Sequence, residues 1–173
     1  MEEAHRDPSP IETAGRDLFD YAIDREDVKW LLGRLPESIA PERNSVEYEL
    51  QVLKIIAVGW RIRYFLEGSP FQAPLSERYW SAVRDFSHHL STTTGMVTGH
   101  AIDYFETLKA RLDGYVAAMA GQRGASAPAE VIGPAFAEAC GDGDDLFVSM
   151  TGAKMFASAS ARVHDYLKAV GML

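Results

Sequence analysis

Apolar side chains recur along most of this chain at intervals of three and four, the spacing that lines one face of an α-helix. The clearest run is residues 45–66. Val46, Leu50, Leu53, Ala57, Trp60 and Tyr64 form one seam, and Tyr48, Val52, Ile55, Ile56, Ile62 and Leu66 form a second. Only a narrow polar strip at Glu47, Gln51, Lys54 and Arg61 separates them. A helix that is apolar on most sides is one covered by its neighbours, so this segment is expected to be the buried centre of the fold. A strand is the rival reading, because Val46, Tyr48, Leu50 and Val52 alternate and β-branched residues are frequent. Alternation fails at Leu53, however, and no turn divides the run.

The flanking segments follow the same period. Ser9, Pro10 and Glu12 carry the signature of a capping box with proline at the first helical position, and a helix is expected from there to about Ile23. Asp24 and Asp27 repeat the device ahead of Val28, Leu31, Leu32 and Leu35, a short helix ended by Pro36. Asn44 and Glu47 are the expected cap of the central helix, and Gly68 its expected C-cap. After a loop over residues 69–74, Ser76 opens a helix carrying Tyr79, Trp80, Val83, Phe86 and Leu90. Ser91, Thr92, Thr93, Thr94 and Gly95 predict a turn, because their hydroxyl and β-branched side chains compete with the helix. Val97, Ala101, Tyr104, Leu108, Leu112, Tyr115 and Met119 then mark a long helix to about Gly121. Residues 121–128 are a glycine-rich loop. A short helix around Ala135 to Cys140, an acidic turn at 141–145 and a last helix from Leu146 to about Val170 complete the chain. The expected fold is all-α: a single-domain bundle of about six to seven helices over residues 9–173, with residues 1–8 a disordered tail.

Composition sharpens this picture by exclusion. Hydrophobic residues are 47% and charged residues 24% of the 173, ordinary values for a chain with a real core. The net charge of −8 repels phosphate backbones and anionic membranes, so neither nucleic acid nor a membrane is an expected partner. The basic spots at Arg61, Arg63, Lys109 and Arg111 read as solvated helix faces. No apolar run approaches the ~20 residues that span a bilayer, and no secretory leader precedes Ser9. The lone Cys140 agrees with a reducing compartment and reads as a small buried side chain. A cytoplasmic protein is the expectation.

The chemistry-bearing motifs are sparse. The chain has no phosphate-binding loop, dinucleotide fingerprint, nucleophile elbow, HExxH or paired CxxC. Asp142, Asp144 and Asp145 lack the closing glutamate of a calcium loop and suit a helix start instead. Thr92–Gly95 hydroxyls suit capping rather than an anion site. One polar constellation remains: Asp85, His88 and His89 at helical spacing, and His100 beside Asp103 one turn on. Across a tight turn at 91–95 the two groups would face each other, and imidazole with carboxylate suits a divalent transition metal or acid–base work. The pattern lacks the Glu-x-x-His pairs of di-iron bundles. The leading expectation is therefore a non-enzymatic interaction or regulatory module with no cofactor, binding a protein or a small apolar ligand. Rows of small residues at Gly95/Gly99 and at Ala153, Ala157, Ala159 and Ala161 permit close helix packing, and self-association is the other expected partnership. The alternative is a metal or acid–base site on Asp85, His88, His89, His100 and Asp103.

Overall fold

A computed structural model of the chain describes residues 7–98, 103–121 and 127–173. It is an all-helical bundle. Seven helices are described: α1 (Pro10–Ile23), α2 (Glu26–Leu32), α3 (Arg43–Phe65), α4 (Gln72–Thr98), α5 (Tyr104–Gly121), α6 (Pro128–Ala139) and α7 (Leu146–Ala169). The expected tail and loop fall mostly on residues 1–6 and 122–126, outside the described residues.

α3 is the axis. It touches all six other helices, and every residue from Val52 to Gly59 is buried, more than two full turns with no wet face. Buried residues from all seven helices join one core around it. Glycine allows the closest approach: a Cβ on Gly59 would overlap the Trp80 indole and stand 2.9 Å from Tyr79 Cε1. Tyr79, itself fully buried, donates its hydroxyl to the Ile55 carbonyl at 2.7 Å. α6 and α7 interlock in the same way, Gly133 lying against Ser149 and Gly152 against the Phe136 ring.

The buried run of α3 includes a cation. Lys54, placed in a polar strip by its sequence, is 0% exposed. Its Nζ donates to the Asp24 carbonyl at 2.7 Å and to Asp27 Oδ1 at 2.8 Å, and lies 4.3 Å from the Tyr21 ring centroid. One turn earlier, Gln51 Nε2 donates to the Ala22 carbonyl at 2.7 Å. The last carbonyls of a helix have no partners within it; here two side chains of α3 supply them for α1. This corrects the expected second capping box. Asp24 does accept from the Glu26 amide at 2.9 Å, but the Asp27 carboxylate is taken by Lys54.

Other termini were predictable from local chemistry. Ser9 and Glu12 form the expected capping box. Asp145 caps α7 by accepting from the Val148 amide and also accepts from Ala40, both at 3.0 Å; these backbone donors hold its carboxyl below the usual range. The caps expected for α3 are not formed: its N-cap is Glu42, without a side-chain bond, rather than Asn44, and its C-cap is Leu66 rather than Gly68. Tyr166 of α7 donates to Asp17 of α1 at 2.8 Å.

Several boundaries move, and α6 starts at Pro128 rather than near Ala135. α4 starts at Gln72 rather than Ser76, and it continues through Ser91–Gly95 to Thr98. Hydroxyl and β-branched residues disfavour a helix by only some tenths of a kcal/mol each. Tertiary contacts outweigh that here, with Ser91 Oγ accepting from the Tyr104 amide at 3.0 Å. The expected turn at 91–95 is thus helix, and α5 begins at Tyr104.

Asp27→Ala strips the enclosed Lys54 ammonium of its carboxylate and is expected to lower the unfolding free energy by about 3 kcal/mol. Adding Lys54→Met removes the stranded charge and recovers most of that loss. Urea unfolding of the single and double variants gives both values. A double variant no more stable than Asp27→Ala would show that the ion pair is not what joins α2 to α3.

Candidate functional site

Of the constellation expected from sequence, Asp85, His88, His89 and Asp103 are among the described residues. Asp85, His88 and His89 are all exposed on α4, and the two imidazole centroids are 6.4 Å apart. Asp103 is exposed and is the cap of α5, accepting from the Glu106 amide at 3.0 Å. His100 lies outside the described residues. The facing arrangement drawn from a turn at 91–95 has no basis once α4 runs to Thr98. Among the described residues no three histidine, cysteine, aspartate or glutamate side chains are grouped to hold a metal ion. Thr92–Thr94 lie within α4.

A concavity lies elsewhere among the described residues, and the extension of α4 lines part of it. Where the second half of α4 passes α1 and the start of α3, a groove of about 660 Å³ opens, with Tyr104 of α5 in its lining. Ile23, Tyr48, Phe86, Leu90 and Tyr104 provide its apolar wall. Phe86 is braced edge-to-face by Phe19 at 5.8 Å, and Tyr48 by Tyr104 at 5.9 Å. Burial raises the hydroxyl pKa of both tyrosines above the ordinary phenol range, so both stay neutral. Tyr48 is 41% and Leu90 37% exposed, large apolar side chains wetted because they line an open groove.

Arg25, Asn44, Glu47, Gln51, Ser91 and Thr94 are the polar residues of the lining. Arg25 reaches across from the start of α2 to pair with Glu47. One turn deeper, Gln51 turns its Nε2 to Ala22, and its Oε1 is buried with no partner among the described residues. Behind Tyr48, Glu49 is 4% exposed and accepts two bonds from Arg111, at 2.9 and 2.7 Å. Arg111 is therefore a structural partner of a buried carboxylate rather than a solvated charge. Arg61 also departs from that expectation: it is half-buried, its guanidinium 4.7–5.7 Å from the rings of Tyr64, Phe65 and Phe156. Burial, reinforced by Glu49, pushes the Cys140 thiol up to about 12, which keeps it protonated and inert.

The groove residues carried only a weak signal in sequence. Tyr48 and Gln51 read as parts of the α3 seams, and Phe86 and Leu90 as ordinary core positions. Nothing in their spacing says that α1, α3 and α4 leave a gap between them. No protein family, curated protein or solved structure matches the chain.

Asp103→Ala is expected to cost about 1 kcal/mol of stability through the lost cap, and Asp103→Asn less than half of that. Chemical denaturation measures both. An alanine variant as stable as the parent would release Asp103 from its structural role.

Proposed function

We propose that the protein is a non-catalytic binding module that takes a small, largely apolar ligand in the groove between α1, α3 and α4. The observation that carries this reading is the groove's composition: a concavity of about 660 Å³ whose exposed wall is mostly aromatic and aliphatic, set among six polar lining residues. Ligand sites are typically concave, about 300–1,000 Å³ in size, and mostly apolar with a handful of orienting polar side chains. A cytoplasmic location belongs to the same reading, supported by a single cysteine, Cys140, that is buried. Among the described residues no helix is long and apolar enough to cross a membrane.

Titration with a neutral environment-sensitive dye such as Nile red is expected to show saturable binding at one site. Leu90→Arg, at a position 37% exposed, is expected to weaken binding at least tenfold, or about 1.4 kcal/mol, while changing stability by no more than about 0.5 kcal/mol. Absence of saturable binding, or equal binding by the variant, would sink the reading.

One observation supports a protein partner or a second copy of the chain instead. Leu146, Phe147 and Met150, clustered in the first turns of α7, are 68%, 56% and 48% exposed, and contiguous exposed apolar side chains mark association surfaces. Light scattering across a concentration series is expected to show mass rising with concentration, and Phe147→Glu to abolish the rise. A constant monomer mass removes self-association.

A further inference from the structure

Two surfaces outside the groove lack what the other offers. The first is the end of α3 where it lies along α7. Arg61 is half-buried there, its guanidinium 4.7 Å from the Tyr64 ring, 5.7 Å from Phe65 and 4.8 Å from Phe156. Burial lowers its pKa, as it does for a cation partly withdrawn from water. Among the described residues no carboxylate pairs with it. Its Nε is closed to solvent, which leaves the terminal nitrogens to meet an anion. Around them Tyr64 is 58% exposed, and Phe65 meets His164 edge-to-face at 5.3 Å. Toward the ends of the two helices, Arg63, Arg162 and Lys168 outnumber Glu67 and an Asp165 that is paired with His164.

The second surface is the start of α7. Leu146, Phe147 and Met150 stand exposed, and the turn ahead of them holds Asp142, Asp144 and Asp145. Asp145 is taken by the Val148 and Ala40 amides, and Asp142 by the Asp144 amide. Asp144 itself is exposed and in no ion pair among the described residues. The segment docked through Ala40 adds Glu37 and Glu42, while its Arg43 is turned to the carbonyls of Leu32 and Pro36. Lys154 is the cation one turn beyond Met150.

Laid on its own copy, this apolar patch would bring carboxylates against carboxylates, and like charges set face to face oppose binding. Laid on the end of α3, the acids meet a guanidinium without a counter-charge, whose planar fork suits a carboxylate. The apolar side chains meet Tyr64 and Phe65. Arginine and tyrosine side by side are also the residue types that dominate interface energetics.

We infer that copies of this chain associate head to tail, the start of α7 of one molecule seating on the Arg61–Tyr64 face of the next, with Asp144 received by Arg61. This inference rests on the self-association reading of the α7 patch. A contact between two different faces leaves one of each unused, so it propagates beyond a pair.

Sedimentation velocity on the full chain tests it. The parent is expected to form species larger than a dimer as concentration rises, and Asp144→Arg to weaken association about tenfold. Adding Arg61→Glu to Asp144→Arg is expected to restore it. Phe147→Glu and Tyr64→Glu, both at exposed positions, each block one face. Either variant alone is expected to be monomeric, and an equimolar mixture to form 1:1 pairs and nothing larger. Because Arg61 is half-buried, that mixture decides the matter if the Arg61→Glu variant does not fold. A Tyr64→Glu variant that associates like the parent, a mixture that stays monomeric, or a parent that stops at a dimer would overturn the head-to-tail contact while leaving self-association in place. A parent that stays monomeric at every concentration removes both.

Discussion

A charge withdrawn from water must be met by the protein, and on α3 this happens twice. Lys54 has no exposed surface, so the ammonium is tenable only where oxygen acceptors surround it. The end of α1 and the first turn of α2 supply them, which fixes where both helices meet α3. Glu49, on another side of the same helix, imposes the same demand on α5 and is met by the fork of Arg111. Apolar burial provides most of the favourable energy of such a core, but it is indifferent to small slides of one helix along another. The two buried charges are not, because ion pairing and hydrogen bonding fall off steeply with geometry. They set the positions of α1, α2 and α5 around a rod that greasy contact alone would leave free to shift.

The groove is a by-product of that arrangement. Gln51 holds α1 by its last turn, Arg25 and Glu47 span the corner between α2 and α3, and α4 passes close to α3 at Gly59 and Trp80. Farther along, Phe86 and Leu90 of α4 face a stretch of α3 that has no glycine, and a lined space remains. The same side chains that orient the scaffold thus reappear as the polar groups of the cavity. Its chemistry is tied to the fold's own constraints.

Much of the architecture was legible in the residues. The double seam of residues 45–66, the Ser9 capping box and the acidic start of α7 depend on neighbours within one or two turns, and sequence displays those directly. The extent of α4 was not legible: Ser91–Gly95 is a poor helix former locally, and the contacts that hold it come from Tyr104 and the groove. Lys54 misled for a related reason. A lysine in an apolar run reads as a snorkelling surface residue unless its partners are known, and Asp24 and Asp27 lie some thirty positions upstream. The histidine cluster was read from spacing that assumed the wrong reversal point. The groove left no trace, because a gap between helices is a property of their crossing and not of any one of them.

The bond from Tyr166 to Asp17 spans 149 positions, whereas α6 and α7 interlock across a turn of only a few residues. Loop-closure entropy makes the distant contact slow to gain and the local one quick. Since α1 contributes Ile23 to the groove and the Ala22 carbonyl to Gln51, a transient detachment of α1 would dismantle that concavity while α6 and α7 stayed interlocked.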